Sequence, residues 1–316
     1  MVYQWYPGHM SKAKRQMQED LKVIDAVVEI LDARIPYSSK NPDIDAMAQG
    51  KSRIIILNKA DLADKSVTEA WKRYYESKGF AVNTVSSKTG AGIKDTAEII
   101  RRACSAKIEK DLKRGIKARP IRVMIAGIPN CGKSTFINAL AGRACTKTGN
   151  KPGVTKGKQW IRLNPQLEML DTPGILWPKF EDQSIGLKIA FIGSINDEIL
   201  YPEEMAYELI KLLKADYPGV IDARYAGKSS GESGMSRDAA VTEDESGMSR
   251  DAAVTEGENV RPTLEQLEDP NDIIREIALR RGCLKKGAEP DLEKAASLII
   301  DDFRSSKLGR ISLERP

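Results

Sequence analysis

The chain has 316 residues, 41% of them hydrophobic, with a net charge of +5, one histidine and four cysteines. That is enough to bury a core and form two domains. No apolar run approaches the roughly 18 residues of a membrane span, and Met1 to Gly8 lacks a charged stretch leading into an apolar one, so a cytosolic location without membrane contact is expected.

The charge is unevenly placed: residues 1–178 hold 31 Lys and Arg against 17 Asp and Glu, whereas residues 179–316 hold 19 against 28. A first part this basic suits a polyanion such as RNA, although lysine-rich surfaces also serve solubility alone. Cys104, Cys131, Cys145 and Cys283 form no C-x-x-C pair, so reduced thiols rather than zinc or disulfides are expected.

The first 120 residues alternate strand and helix signals, as an α/β fold with a mainly parallel sheet requires. Residues 26–31 read as a buried strand ending at Asp32-Ala33-Arg34, residues 53–57 as a second ending at Asn58, and residues 80–85 as a third ending at Ser86-Ser87-Lys88. Helices fit between them near 66–79 and 93–112. The basic stretch 113–120 reads as a connector into a strand at 121–126, and another strand is expected at 167–170. After Pro178 the pattern becomes amphipathic helices near 184–192, 203–215, 263–281 and 291–305, predicting a small all-α domain over 179–316 without strands. Within it, the twelve residues from Glu232 recur letter for letter from Glu245. Two copies are too few for a solenoid, so the acidic stretch at about 229–258 reads as a solvated linker or insertion.

The chemistry-bearing motifs fall at the carboxyl ends of strands, where open α/β sheets bind ligands. Residues Gly127 to Ser134 match G-x-x-x-x-G-K-[ST] between a strand and a helix. Such a loop curls backbone N–H groups around phosphates, those of Asn130, Cys131, Gly132 and Thr135 included, while Lys133 reaches the β- and γ-phosphates and Ser134 offers Mg²⁺ a hydroxyl. Asn58-Lys59-Ala60-Asp61 reads the base. A carboxylate at Asp61 accepts from guanine N1–H and N2–H, a donor pair adenine lacks, so GTP and GDP are expected rather than ATP. Asn58 would bridge to the phosphate loop, Lys59 pack along the base, and Ser87, next to Ser86, cover O6 through its N–H. Asp171-Thr172-Pro173-Gly174 supplies switch II, with Asp171 holding Mg²⁺ through water and the Gly174 N–H sensing the γ-phosphate. Thr155 is the candidate switch I threonine on the metal.

These motifs arrive in an unusual succession, with the base reader before the phosphate loop and switch II last. That order defines a circularly permuted GTPase domain, here residues 1–178, in which whatever follows is tethered to switch II. Two residues bear on hydrolysis. Ile175 occupies the position after Gly174 where Ras-like proteins place a water-orienting glutamine, and it cannot hydrogen-bond water. His9 could take over that task or be merely structural. Asn130 could ligate a monovalent cation or be an ordinary polar loop residue.

Trp5-Tyr6-Pro7-Gly8-His9-Met10, Asp32-Ala33-Arg34-Ile35-Pro36, the permuted motifs and Lys307-Leu308-Gly309-Arg310 together resemble the ribosome biogenesis GTPase A family, in the circularly permuted branch of the TrmE–Era–EngA–YihA–Septin-like GTPases. The resemblance implies a GTP hydrolase, slow alone and stimulated by the ribosome, acting late in assembly of the large subunit, with a helical domain that contacts ribosomal RNA. It also implies a catalytic His9, K⁺ held by Asn130, and hydrolysis without the usual glutamine. The duplicated acidic stretch departs from that pattern. A monomer is expected. The competing reading is a GTP-stabilised RNA-binding scaffold whose hydrolysis is incidental.

Overall fold

The computed structural model describes residues 8–116, 119–146, 159–177, 180, 182–197, 200–226 and 263–316, with side chains from Ser11 onward. The His9 side chain, the candidate switch threonine Thr155 and the duplicated acidic stretch lie outside the described residues.

Six strands form one sheet: β1 (Ala26–Asp32), β2 (Ser52–Asn58), β3 (Ala81–Thr84), β4 (Ile121–Ala126), β5 (Gln159–Asn164) and β6 (Leu167–Asp171), in the order β3-β2-β1-β4-β6-β5. All neighbours are parallel except β5, which runs antiparallel to β6 at the edge. β1 is buried along its whole length, as its Val/Ile/Leu-rich run requires of a central parallel strand. It lies between β2 and β4. The base-reading loop after β2 and the phosphate loop after β4 therefore flank its carboxyl end, which is how two segments permuted in sequence come to share one crevice.

Helices α3 (Lys65–Ser77), α4 (Thr96–Ala103) and α6 (Lys133–Ala141) follow β2, β3 and β4. The single helix expected over 93–112 is broken at Cys104, whose backbone leaves the helical region (φ −99°, ψ 8°), and resumes as α5 (Ser105–Lys113). The reason is packing: α4 buries Ile100 in the main core, whereas α5 has no fully buried residue and rests on that core through the half-buried Ile108. Before residue 178 three elements go beyond the sequence reading. α1 (Gly8–Leu21) buries Met17 and Leu21 at i and i+4, α2 (Pro42–Met47) is capped by Asn41, and β5 forms the antiparallel edge.

Beyond residue 178 come α7 (Gln183–Phe191), α8 (Pro202–Asp216), α9 (Val220–Tyr225), a 3₁₀ turn (Leu264–Gln266), α10 (Pro270–Arg281) and α11 (Leu292–Arg304). The helix expected over 263–281 starts only at Pro270, because Asp269 caps it and proline fits the first turn, where no N–H partner is needed. Strand-like pairing among the described residues here is limited to the isolated Leu284–Pro290 bridge. One continuous apolar cluster joins Val28 and Val123 of the sheet to Leu209, Ile277 and Ile299 of the helices. The tail then returns to the first half: Leu313 N donates to Arg34 O at 2.8 Å and Ile311 N to Leu62 O at 3.2 Å, while the Glu314 carboxylate accepts from Tyr37 N at 2.8 Å, from Ser38 N and from Ser38 Oγ. No helix among the described residues is long and apolar enough to cross a membrane.

Candidate nucleotide site

The base-reading loop starts where β2 ends. Lys59 adopts a left-handed backbone (φ 60°), and Leu62 N donates to Lys59 O at 2.9 Å, closing the turn that carries Asp61. Ala60 N donates to Val85 O at 3.1 Å, fixing this turn to the end of β3. Asn58, buried, does the bridging expected of it. Its Nδ2 donates to Cys131 O in the phosphate loop at 2.9 Å, and its Oδ1 accepts from Ser87 Oγ at 2.8 Å and Ser87 N at 3.1 Å. The Ser87 amide expected over guanine O6 is thus used within the protein here, and Ser87 acts as the third member of the bridge. Ser86 shapes the turn behind it, its Oγ accepting from Thr89 N at 3.3 Å.

The phosphate loop is held open from several sides. Gly132 approaches Asn58 so closely that a Cβ on it would lie 2.5 Å from Asn58 Nδ2, and its φ of +94° independently favours glycine. Lys133, buried, donates to Ile128 O at 2.8 Å and Gly127 O at 3.2 Å, curling its ammonium back over the loop. Lys59 Nζ donates to Asn130 O at 2.7 Å, so base reader and phosphate loop touch directly. Ser134 and Thr135 occupy the first turn of α6. Cys131 is buried, and burial pushes its thiol pKa up, so it is an inert packing group.

Switch II leaves β6 at Asp171. Its next residue, Thr172, donates from Oγ1 to Ile125 O at 2.7 Å, anchoring the strand end to β4. Gly174 lies against the phosphate loop, where a Cβ would sit 2.8 Å from both Lys133 Nζ and the Pro129 backbone. Ile175 turns away from the loop and is buried with Met17 and Leu21 of α1, and Asn41 Nδ2 donates to its carbonyl at 3.2 Å. The apolar residue that replaces a water-orienting glutamine is therefore a docking point for the helix that begins at Gly8 and contains His9.

Asp171 is buried, and its Oδ1 has no hydrogen-bond partner among the described residues. Burial pushes its pKa up to about 6, against the pull of nearby Lys133. An orphaned buried carboxylate oxygen close to Lys133 has the chemistry to accept from a cation's bound water, which is what the sequence reading asks of Asp171. No cluster of three or more His, Cys, Asp or Glu occurs among the described residues. Asn130, also left-handed at φ 56°, donates from Nδ2 to Gly193 O at 2.5 Å, and Ser194 Oγ donates to Pro129 O at 2.5 Å. The phosphate loop is thus gripped by the turn that ends α7, a contact no local motif announced.

A mainly parallel sheet with these loops at its carboxyl edge, Asn58 and Lys59 bonded to the phosphate loop and Gly174 packed against Lys133, defines a circularly permuted P-loop GTPase. The comparisons with known proteins agree. The family model for 50S ribosome-binding GTPases matches residues 122–214. Ribosome biogenesis GTPase A of Bacillus licheniformis is 40% identical over 100% of this chain and 99% of its own. The solved structures of YlqF from Thermotoga maritima align over 96% of this chain, the GDP-bound one with TM-score 0.60 at 26% identity over 99% of its own length, the GNP-bound one with TM-score 0.58 at 29% over 98%. The chain belongs to the ribosome biogenesis GTPase A family.

Proposed function

We propose that this protein is a guanine-nucleotide switch that, in its GTP form, binds the immature large ribosomal subunit and is released when GTP is hydrolysed to GDP and phosphate late in subunit assembly. The reading divides the chain into a nucleotide-binding part, residues 1–178, and a helical part, residues 179–316, that faces ribosomal RNA. It acts in the cytoplasm as a monomer.

The observation that carries the reading is the double attachment of the helical part to the pocket. α7 begins nine residues beyond Gly174, and the turn at its far end holds Pro129 and Asn130 of the phosphate loop. A change at the γ-phosphate therefore acts on the helices both through switch II and through the phosphate loop. The basic charge of the first part, the name of the matched family and the names of its relatives support a ribosomal partner.

Bound Mg²⁺, held by Ser134, Asp171 and Thr155, would neutralise charge on the β- and γ-phosphates. Lys133 binds those phosphates, and the Gly174 N–H reads the γ-phosphate. His9, carried by the helix docked on Ile175, orients the attacking water. Asn130, in the phosphate loop, is the residue that ligates K⁺. With no glutamine in the pocket, turnover of the free protein is expected on the order of 10⁻⁴ to 10⁻³ s⁻¹.

The test is co-sedimentation with large-subunit precursors in a nonhydrolysable GTP analogue or in GDP, paired with GTPase rates with and without subunits. Binding selective for the analogue and a rate rise that His9→Ala removes are expected. Equal binding in both nucleotides, or a rate indifferent to subunits, would refute the switch.

A further inference from the structure

Asp32 ends β1 at the point where the base-reading and phosphate loops meet, and it is fully buried. Its carboxylate accepts from Arg34 N at 3.1 Å, Arg34 Nε at 2.9 Å and Arg34 Nη2 at 2.8 Å, and its Oδ2 lies 2.9 Å from Lys59 Nζ. Four donors fill the roughly four acceptor sites of a carboxylate, which leaves Asp32 no capacity to ligate a metal or to act as a base. Burial alone would raise its pKa, but Arg34 and then Lys59 outweigh that and hold it far below the usual carboxylate range.

We propose that Asp32 is a positioning residue for guanine-nucleotide binding, the anion that fixes Lys59 between the base and the phosphate loop. Lys59 combines a strained left-handed backbone with a flexible four-carbon stem, a pairing that persists only where the surroundings over-determine it. Asp32 supplies the missing constraint from below, and Asn130 O at 2.7 Å supplies it from the side. Asn130 is itself left-handed, so the two strained residues of the pocket face each other across one ammonium group.

Arg34 in turn locks the carboxylate with a bidentate fork. It is almost wholly buried, donates from Nη1 to Arg304 O at 3.3 Å, and stacks with its guanidinium 5.3 Å from the Phe303 ring centroid. The rigid line from α11 through Arg34 and Asp32 to Lys59 thus presets the pocket before nucleotide arrives. Two cations on one anion also leave this buried group with a net positive charge, which favours a polyphosphate nearby.

The inference rests on the guanine-nucleotide reading of the pocket and not on the ribosomal partner, so GDP affinity of the purified full chain tests it. In a double-mutant cycle, Asp32→Asn should weaken GDP and GTP binding about tenfold, mainly through faster release, with kcat at saturating GTP changed less than twofold. In a Lys59→Met background the same Asp32→Asn change should alter GDP affinity less than twofold, because the group it positions is gone. A tenfold loss that persists in the Lys59→Met background would show a purely structural role and overturn the proposal, as would unchanged affinity in Asp32→Asn alone. Should Asp32→Asn not fold, the cycle is run in an Arg34→Met background, where the cation left without its partner is absent, and the same outcomes decide. Failure of the unaltered protein to prefer GDP over ADP would instead refute the pocket assignment itself.

Discussion

Asp171 is a carboxylate that the ligand-free fold tolerates poorly, which makes Asp171→Asn a substitution that should stabilise the protein while disabling it. The group titrates at about 6 in the fold because burial disfavours its charge, against 3.8 in the open chain. Between those values the folded chain holds a proton that the unfolded chain has released, so stability falls as pH rises from about 4 to about 6 and is flat above. The difference corresponds to about 3 kcal/mol at neutral pH. A neutral amide of nearly the same shape avoids this loss. Without nucleotide or Mg²⁺ at pH 7.5, the Asp171→Asn protein should melt roughly 6 °C higher than the parent. At pH 4, where the parent carboxyl is protonated in the fold, the gap should close. Adding Mg²⁺ and GTP should reverse the ranking, since the metal needs the anion: the parent gains stability and the variant gains little. Scanning calorimetry at the two pH values, with and without ligand, reads all of this. A variant that melts below the parent at pH 7.5 without ligand, or a gap that persists at pH 4, would refute the assignment of Asp171 as an uncompensated buried carboxylate awaiting a cation.

Asp61→Asn exchanges a double acceptor for a mixed donor and acceptor, so GTP affinity should drop by about 100-fold, the equivalent of about 3 kcal/mol in two charge-assisted hydrogen bonds, while xanthosine triphosphate gains. Competition binding checks it, and retained guanine preference would contradict the base-reading role. Exchange of K⁺ for Na⁺ should slow hydrolysis in the parent and leave Asn130→Ala unaffected, and an ion-dependent rate in that variant would remove Asn130 as the ligand. Glu314→Ala leaves the amides of Tyr37 and Ser38 and the Ser38 hydroxyl without their acceptor, which should cost about 2–4 kcal/mol in denaturant unfolding. A loss under about 0.5 kcal/mol would mean water replaces the carboxylate freely.

What could be read from residues alone was whatever is decided locally. Asn58 and Lys133 sit at strand ends because short apolar runs bounded by loop signals are visible in sequence, and the order of the motifs already implied permutation. The edge strand β5 escaped because Trp160 points outward and Ile161 inward over a run too short and too polar to stand out. α1 escaped because its core-facing stripe, Ala13, Met17 and Leu21, is thin among charged residues. Asp32 carried a faint signal, a carboxylate at the end of a central strand that is apolar but for Glu29, and its meaning depends on Lys59 being brought beside it by sheet pairing. The grip of Gly193 and Ser194 on the phosphate loop is likewise tertiary, joining residues 63 and 65 positions apart.

The return of the tail has a consequence for how the molecule is made. Leu313 is hydrogen-bonded to Arg34 and Glu314 to Ser38, closing the chain across 276 positions in the second case. During synthesis the guanine-reading loop emerges early, yet the strap that secures the floor beneath it, residues 311–314, emerges far later. A polypeptide halted before Ile311 would carry every nucleotide motif and still lack that brace, so the pocket reaches its finished form only after residues 311–314 have been added.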